Sequence, residues 1–409
     1  MGDKILVLNA GSSGHKSALY ELGTSDSAAP LNPLWQAQID RQQSPPLLIA
    51  AGSGQTVKID LPERNRSQDI AKMLETLYEG ETAVISGVRE ISAVGHRVVH
   101  GGQDYRQSLW VDEAVKRAIA RLIPLAPAHN PANLEGIELI EQQWGDIPQY
   151  AVFDTAFHSQ MPEVAALYPV PRDWINWGIR RYGFHGISHQ YCAHRAAELL
   201  NQPLEDLRLV TCHLGNGCSL AAIKSGYSID TTMGFTPMDG LMMGTRSGSV
   251  DPGILTYLMR EKGYDPQQLD EMLNKQSGLK GISEISGDMR EVMRAIADGN
   301  SQAKLAFEMY IHCLRAGIAA MTASLGGLDV LVFSGGAGSH TAALRDQTCE
   351  GLSFLGVDIS KKKNSEVEES QDKNVSAEQS NVSVLVIHTQ EEWQIAREYK
   401  QLEASKRSS

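Results

Sequence analysis

The sequence predicts an α/β fold of two related domains, and three observations support that class. Apolar runs typical of strands alternate with amphipathic helical patterns along most of the chain of 409 residues. A chain of this length is expected to form two or three domains, at roughly 100–200 residues each. An apolar strand, a glycine-rich turn and a second apolar strand occur near the start and again about half the chain later. This repetition predicts a duplication.

The first glycine-rich turn lies in NAGSSGHKSAL, residues 9–19, directly after the apolar run ILVL. It is not a Walker P-loop, because His15 separates the glycine from Lys16, and it is not a dinucleotide fingerprint. The apolar run that follows is short, so we predict strand, turn and strand rather than a helix after the turn. The backbone N–H groups of such a turn, with Ser12 and Ser13, can hold an anion.

The second glycine-rich turn lies in LRLVTCHLGNGCSLAAIKSG, residues 207–226. When Asn9 is aligned with His213, Gly11 falls on Gly215. One such turn alone is also compatible with an ordinary tight hairpin. Two alike favour two related domains that hold phosphate groups in a cleft between them, with ordinary hairpins as the alternative.

The domain boundaries follow from these repeats and from the last helix. We predict an N-terminal domain over residues 1–154, completed by a C-terminal helix over about 388–409, and a C-terminal domain over 155–387. Residues 360–381, almost free of large apolar side chains, are predicted to be a polar surface loop of the second domain.

Several elements carry recognisable start and stop signals. Asn130 is the predicted N-cap of a helix with proline at its first turn. The apolar strand YAVF ends at Asp154, which places a carboxylate where α/β proteins form their sites. A long helix is predicted to be capped by Ser301 and stopped at Gly326. The segment SGGAGSH after another apolar strand is predicted to be a glycine loop before a helix.

Charge and cysteine content narrow the class of protein. The formal net charge of −12 disfavours nucleic acid and anionic membranes as partners, because phosphates require a basic surface. The five cysteines form no CxxC pair, which predicts reduced thiols and a cytoplasmic location. Neither a signal peptide nor a membrane span is predicted.

Arginine, histidine and carboxylate side chains concentrate in four segments of otherwise apolar or glycine-rich sequence: residues 95–102, 125–131, 152–158 with 181–189, and 244–253. Arg97 lies within the apolar RVV, where burial demands a partner, so a structural ion pair and an anion site both remain open. Arg246, flanked by glycine and serine, favours ligand contact.

The histidines are read separately. His129 precedes a helix N-terminus, where the helix dipole favours an anion, although a hydrogen-bonded loop histidine fits equally well. His185 lies between Phe184 and a glycine, which leaves room for a ligand. The remaining histidines have no metal-ligand spacing, so a zinc site is rejected.

Nine motifs in this order resemble the acetate kinase family: VLNAGSSGHK, GHRVVHGG, LAPAHNP, VFDTAFH, RYGFHGISH, HLGNGCS, GFTPMDGLMMGTRSG, SGDMRE and TQEEWQIARE. The resemblance implies the fold of the acetate and sugar kinase, Hsp70 and actin superfamily. That fold has two actin-like ATPase domains with the active site in the interdomain cleft, and the C-terminal domain binds the nucleotide. The implied activity is reversible, Mg²⁺-dependent phosphoryl transfer from ATP to acetate, giving acetyl phosphate and ADP.

The resemblance also implies roles for individual residues. The implied catalytic residues are Arg97, His129, Asp154, His185 and Arg246. Mg²⁺, or Mn²⁺ in its place, would be held by Asn9 and Glu391. The acetate pocket would be formed by Arg97, Val99, Ala128, Phe184 and Pro237. The nucleotide would be bound by Ser12, Lys16, His213, Leu214, Gly215, Asn216, Gly217, Asp288, Met289, Arg290, Gly336, Ala337, Gly338, Ser339 and His340.

The chemistry suits these residue types independently of the family. A carboxylate acceptor is already ionised at neutral pH, because carboxyl pKa values lie near ~4, so no general base is required. The difficulty is to bring an anion to a polyanion, and arginine, histidine and a metal ion reduce that repulsion. Asp154 is therefore better read as the group that orients an arginine or a metal-bound water.

The chain departs from the family pattern at Gly14, His15, Ala128, Ser249, Gly287, Ser339, His340 and Gln390. Alanine where the family has leucine at 128 would widen the acetate pocket and admit propionate. Ser339 and His340 replace Glu-Asn in the adenosine segment, which leaves the base and ribose contacts open and keeps pyrophosphate as an alternative donor.

Several readings of function therefore stand together. The first is acetate kinase with direct in-line transfer, since no nucleophile is visibly activated by a neighbouring base. The alternatives are a propionate or other short-chain carboxylate kinase, a non-catalytic nucleotide-binding protein of the same fold, and transfer through a transient phospho-enzyme. The family resemblance also implies a homodimer.

Overall fold

The structure is a computed structural model that describes residues 2–10, 14–23, 29–41, 44–62, 65–368 and 371–408. The chain forms two compact units. The first unit comprises Met1–Phe157 and Gln390–Ser409, and the second comprises His158–Thr389.

The described part of the first unit contains one mixed sheet of eight strands and four helices. In chain order the strands are β1 (Asp3–Ala10), β2 (Gly14–Leu22), β3 (Trp35–Asp40), β4 (Leu47–Gly52), β5 (Gln55–Asp60), β6 (Ala93–Val98), β7 (Leu109–Trp110) and β8 (Gln149–Phe153). The helices are α1 (Arg66–Glu75), α2 (Glu113–Arg121), α3 (Asn130–Trp144) and, at the end of the chain, α15 (Glu391–Ser408). Short 3₁₀ turns cover Val88–Glu90, Ile123–Leu125 and, at the boundary between the units, Ala156–His158.

The described part of the second unit contains a sheet of six strands and a larger set of helices. The strands are β9 (Arg208–Leu214), β10 (Cys218–Lys224), β11 (Tyr227–Thr231), β12 (Val330–Ser334), β13 (Lys373–Asn374) and β14 (Ser383–Val386). The helices are α4 (Glu163–Ala166), α5 (Arg172–Asn176), α6 (Gly186–Leu200), α7 (Pro252–Tyr257), α8 (Pro266–Lys275), α9 (Gly278–Ser283), α10 (Met289–Ala297), α11 (Ser301–Leu325), α12 (Gly335–His340), α13 (Ala342–Glu350) and α14 (Lys361–Ser365). A π-helical turn covers Leu258–Lys262, and 3₁₀ turns cover Leu204–Asp206 and Ser353–Leu355.

The two sheets share a five-strand arrangement. In the first sheet the order β3-β2-β1-β6-β8 pairs β1 antiparallel to β2 and parallel to β6, which is parallel to β8. In the second sheet β11-β10-β9-β12-β14 repeats this order and these directions. The shared topology confirms the predicted duplication of an α/β domain.

Both predicted pairs of strands are present and antiparallel, β1 with β2 and β9 with β10. Asn9 of β1 faces Lys16 of β2, and His213 of β9 faces Ser219 of β10. The predicted phosphate contact Ser12 lies outside the described residues. In the first unit α3 and α15 both pack against β1 and β6, and in the second α6 and α11 pack against β9. These helices therefore cover the central strands of each sheet.

Two predicted helix caps are wrong by one residue. Asn130 is the first residue of α3, so the N-cap position belongs to His129. The buried Asn130 side chain does not cap the helix, because it accepts a hydrogen bond from the N–H of His100 at 3.2 Å. The cap of α11 is Asn300, whose side chain accepts from the N–H of Ala303 at 2.9 Å. Shifts of one residue are common at helix ends, where the first N–H groups have no partner within the helix. The predicted stop of α11 at Gly326 is confirmed by its left-handed φ of 72°.

Two segments predicted as loops contain regular structure. The glycine segment after β12 is helical and forms α12. Residues 360–381 include α14 and β13, and β13 pairs antiparallel with β14. The buried Val375, which follows β13, extends this pairing by donating its N–H to the carbonyl of Val384 at 2.8 Å. Across the described residues, no helix is both long enough and apolar enough to cross a bilayer.

Candidate functional site

The first unit carries a cluster of one arginine and several carboxylates, here called the arginine–carboxylate cluster (Asn9, Arg97, Asp154, Glu391 and Glu392). The neighbouring strands β6 and β8 are parallel, and their last pair joins Val98 to Phe153. Arg97 and Asp154 therefore meet at the carboxyl edge of the sheet. The guanidinium donates to the Asp154 carboxylate through Nε at 3.1 Å and Nη2 at 2.6 Å.

The other face of the Arg97 guanidinium is bounded by β1 and α15. Its Nη1 donates to Asn9 Oδ1 at 3.1 Å and lies 3.8 Å from Glu391 Oε2. Asn9 Nδ2 in turn donates to Glu392 Oε1 at 2.8 Å. Glu392 was missed at the sequence level, although the acidic pair at the start of the last predicted helix was the available signal.

The electrostatics keep Arg97 charged. Burial alone would lower the pKa of Arg97, but the charges of Asp154 and Glu391 outweigh burial and raise that pKa. The Arg97 side chain is 16% exposed and that of Asp154 is 2% exposed. The structural ion pair that sequence reasoning left open is therefore present.

A second link joins the strand ends of the first unit to α3. Asn133 accepts a hydrogen bond from the N–H of Val99 at 3.1 Å and donates to the carbonyl of Ala10 at 3.1 Å. Val99 is buried, whereas His129 is half-buried and Ala128 is exposed just before α3. Asn133 was not singled out from the sequence, because an asparagine in a predicted helix carries no distinctive signal.

In the second unit the turn between β9 and β10 is packed between two predicted site residues. The Gly215 N–H donates to the Gly217 carbonyl at 3.0 Å, which closes the turn. A methyl group on Gly217 would lie 3.4 Å from Arg246 Nη1 and 3.4 Å from His185 Nε2. The glycine turn, Arg246 and His185 therefore form one local cluster.

His185 is held in an unusual backbone conformation. It precedes α6 with φ 57° and ψ 24°, in the left-handed region that side chains other than glycine rarely adopt. Its ring stacks on His213 with a centroid separation of 4.2 Å, and its Nδ1 lies 2.8 Å from Ser219 Oγ. The surrounding contacts thus fix both the position and the plane of the imidazole.

Arg246 differs from Arg97 in its partners. Its Nη1 donates to the carbonyl of Pro237 at 3.2 Å, and burial lowers its pKa. None of the ion pairs among the described residues includes Arg246. A half-buried guanidinium without a counter-charge is electrostatically suited to an anion. Phe184, the predicted apolar wall, is fully buried beside His185.

The residues predicted for the nucleotide fall into three groups within the described second unit. The β9–β10 turn is one. Asp288 caps α10 and pairs with the exposed Arg290 at 2.6 Å. Residues 336–340 form most of α12, whose carbonyls at Gly338 and Ser339 each accept from Nη1 of the buried Arg345 at 2.7 Å. Arg345 was missed from the sequence. Lys16, the remaining described candidate, is exposed on β2 of the first unit.

The oxygen atoms of the arginine–carboxylate cluster are chemically suited to a hard divalent cation. Asn9, Glu391 and Glu392 supply amide and carboxylate oxygens close together. No group of three or more histidine, cysteine or acidic side chains suited to a metal occurs among the described residues. Mg²⁺ needs no such cage, because it is held by one or two carboxylates with substrate phosphates and water.

Solved structures define the class. The crystal structure of Porphyromonas gingivalis acetate kinase matches with a TM-score of 0.89 and 39% identity, covering 98% of this chain and all of that one. The structure of a propionate kinase from Francisella tularensis matches with a TM-score of 0.88 and 38% identity, covering 97% of this chain and 98% of that one. The protein is therefore a two-domain α/β kinase.

The sequence gives the family within that class. The profile of the acetokinase family matches residues 4–397. An acetate kinase of Microcystis aeruginosa is 57% identical over 397 residues, which are 97% of this chain and 98% of that one. An acetate kinase of Rippkaea orientalis is 56% identical over 400 residues, with the same two coverages. The chain belongs to the acetokinase family, which confirms the resemblance found in its motifs.

Proposed function

We propose that the protein transfers the terminal phosphoryl group of ATP to acetate, reversibly, and yields acetyl phosphate and ADP. The observation that carries this proposal is the match to acetate kinases over almost the entire chain. The Arg246 environment adds physical support, because a buried cation without a carboxylate partner favours an anionic substrate.

The proposed chemistry assigns different tasks to the two arginines. Acetate needs no deprotonation at neutral pH, so the chain must mainly offset repulsion between acetate and the phosphates. Arg246 supplies uncompensated positive charge, and Arg97 presents a guanidinium oriented by Asp154. His185 stabilises the transferring phosphoryl group, with His129 assisting. Each well-placed donor of this kind contributes roughly 10²–10³-fold in rate.

The proposed metal is Mg²⁺, with Mn²⁺ as a substitute, held by Asn9 and Glu391. Glu392 joins this set as an additional carboxylate, because it shares the Asn9 amide. When bound, the metal neutralises charge on the phosphate oxygens of ATP. Asn9 offers its Oδ1 to Arg97, so the same side chain orients the arginine and serves the metal.

The proposed nucleotide contacts are the β9–β10 turn, α12, the Asp288–Arg290 pair and the exposed Lys16. Backbone N–H groups of glycine-rich turns and helix starts suit phosphate oxygens. The replacement of Glu-Asn by Ser339 and His340 keeps pyrophosphate as the competing donor, and the donor is therefore an arm of the test below.

The test is acetyl phosphate formation, trapped as the hydroxamate, by the purified full-length chain. We expect product only when acetate, ATP and Mg²⁺ are all present, and we expect EDTA to abolish it. Product with pyrophosphate and none with ATP would reverse the donor assignment. Nucleotide binding by calorimetry without any product would instead identify a non-catalytic nucleotide-binding protein. Direct transfer further predicts no labelled protein after incubation with γ-labelled ATP without acetate.

Propionate is the second candidate acceptor. The match to a propionate kinase and the alanine at position 128 both favour it. One additional methylene changes binding by only ~1–3 kcal/mol in an apolar pocket, so acetate and propionate are both expected to react.

A cytoplasmic homodimer is the proposed assembly. The second unit exposes Ile254, Tyr257 and Met259 on α7 and the π-helical turn that follows it. Clustered apolar side chains of this kind mark protein contacts on soluble chains. Sedimentation of the wild type should give a dimer mass, and a Tyr257→Asp, Met259→Asp variant should give the monomer mass. A monomeric wild type would contradict the proposal.

A further inference from the structure

A row of buried hydrogen bonds extends from His185 into the second unit; we call it the buried chain (His185, Ser219, His189 and Thr211). His185 Nδ1 lies 2.8 Å from Ser219 Oγ, and the same Oγ lies 2.8 Å from His189 Nε2. His189 Nδ1 lies 2.7 Å from Thr211 Oγ1. Ser219 is completely buried, and His189 and Thr211 are each 1% exposed.

Because burial keeps His189 neutral, the three hydrogen bonds can run in only two concerted directions. Burial lowers the pKa of His189 well below its usual value, so the ring is neutral and carries one N–H. Ser219 has one O–H to donate. When Thr211 donates to His189, His189 therefore donates to Ser219 and Ser219 donates to His185 Nδ1. When His185 Nδ1 carries a proton, all three bonds point the other way.

Each direction has a consequence at the opposite ring nitrogen. If Ser219 donates to Nδ1, neutral His185 must carry its proton on Nε2, the atom beside the glycine turn and Arg246. If His185 is an imidazolium, both ring nitrogens carry protons and Ser219 accepts from Nδ1. In both of these arrangements Nε2 offers an N–H at the turn, as contact with an anionic phosphoryl group requires, whereas a neutral His185 protonated at Nδ1 would present Nε2 as an acceptor.

We infer that Ser219 and His189 are positioning residues that let His185 present an N–H at Nε2 in either charge state, because Ser219 Oγ can donate to Nδ1 or accept from it. The expected effect of this inference on kcat rests on the proposed function. Its basis is the pair of 2.8 Å contacts that Ser219 makes to two histidines. Without that hydroxyl, the tautomer of neutral His185 is no longer coupled to the hydrogen bonds of His189 and Thr211.

The test compares Ser219→Ala with a matched control. Ser228→Ala also removes a fully buried hydroxyl that contacts a buried histidine, His158, at 2.7 Å. Ser228 does not belong to the buried chain. We expect Ser219→Ala to lower kcat about 10–100-fold with little change in the KM for ATP, by analogy with the residues that orient metal-binding histidines. Ser228→Ala should lose comparable stability and retain kcat.

A spectroscopic readout separates positioning from a general structural effect. In ¹⁵N-histidine-labelled enzyme with ADP bound, His185 should show a single protonated Nε2 in the wild type and a mixture of two tautomers in Ser219→Ala. Ser219→Cys, which keeps a weaker donor of similar size, should give an intermediate kcat. If Ser219→Ala does not fold, the kcat of Ser219→Cys serves as the test instead.

Unchanged kcat and an unchanged His185 tautomer in folded Ser219→Ala would overturn the inference. That result leaves acetyl phosphate formation by the wild type, and with it the proposed function, intact. An inactive wild type whose His185 tautomer responds to Ser219→Ala would refute the function and leave the buried chain standing.

Discussion

Arg97 and Arg246 lie in opposite electrostatic settings, although the family resemblance implied similar roles for them. Arg97 contacts Asp154 and lies near Glu391, so its charge is balanced within the first unit. Arg246 donates to a carbonyl, and burial lowers its pKa. Removal of each arginine should therefore affect stability differently, even where activity is lost in both cases.

We predict that Arg97→Ala and Arg246→Ala each lower kcat at least about 10²-fold. Arg97→Ala should also destabilise the protein by about 3–5 kcal/mol, because it leaves buried carboxylates without a cation. Arg246→Ala should leave the free energy of unfolding unchanged or raised, because an unpaired buried charge is removed. Urea unfolding and steady-state kinetics measure both.

Arg97→Lys serves as the control for charge alone, since lysine cannot reproduce the two-pronged contact with Asp154. It should recover stability more than kcat. Near-normal turnover in Arg246→Ala, or equal stability losses in the two alanine variants, would refute the distinction between the arginines.

Selectivity for the acceptor is the second property that belongs to single residues. We predict that Ala128→Leu lowers the ratio of kcat/KM for propionate to that for acetate by about 10-fold, since a larger side chain narrows the methyl pocket. The control is Ala120→Leu, an equally exposed alanine on α2. An unchanged ratio in Ala128→Leu means that position 128 does not line the acceptor pocket.

At the scale of elements, α12 depends on how closely it approaches β9. Its first residue, Gly335, has φ +74°, and a methyl group there would lie 2.8 Å from the backbone of Leu214. The next residue, Gly336, has open space around its Cβ position. Two adjacent glycines therefore make different demands on the backbone.

We predict that Gly335→Ala lowers the free energy of unfolding by about 1–3 kcal/mol, from strain at positive φ and contact with Leu214. Gly336→Ala should be neutral or stabilising by up to about 1 kcal/mol, because alanine is the better helix former. Thermal and urea unfolding of the two variants measure this difference. Equal effects would mean that the start of α12 is not constrained by β9.

At the scale of the whole molecule, buried neutral histidines link stability to pH. Burial lowers the pKa values of His96, His100 and His158 to about 4 each, from the usual value of 6.5. Between those values the unfolded chain binds protons that the folded protein does not bind. Folded stability is therefore complete above pH 6.5 and is lost as the pH falls toward 4.

We predict that the free energy of unfolding falls between pH 6.5 and 5, by up to about 1.4 kcal/mol per pH unit for each such histidine. Over pH 7 to 8 these groups predict no change, which provides the internal control. Urea titrations at several pH values measure the slope. Equal stability at pH 7 and pH 5.5 would mean that these histidines titrate normally in the folded protein.

Much of the architecture followed from local patterns. Alternation, apolar runs and glycine turns predicted both hairpins, the strand before Asp154 and the stop of α11 at Gly326. These features depend on backbone sterics and on residues close in sequence. The ordered motifs likewise predicted the family. The predicted caps of α3 and α11 were each wrong by one residue, and the glycine segment predicted as a loop is helical.

The pairings within each cluster came only from the folded chain. Arg97 meets Asp154 across 57 residues, Asn9 meets Glu392 across 383, and His189 meets Ser219 across 30. Residue types at these positions suggested chemistry, but strand order and helix packing select which of them touch. The surroundings then decide how each charge is balanced. The charge of Arg97 is balanced by carboxylates, whereas that of Arg246, beside a carbonyl, is not. Neither the contact partners nor the burial of a side chain can be read from local spacing, so partners and protonation required the three-dimensional structure.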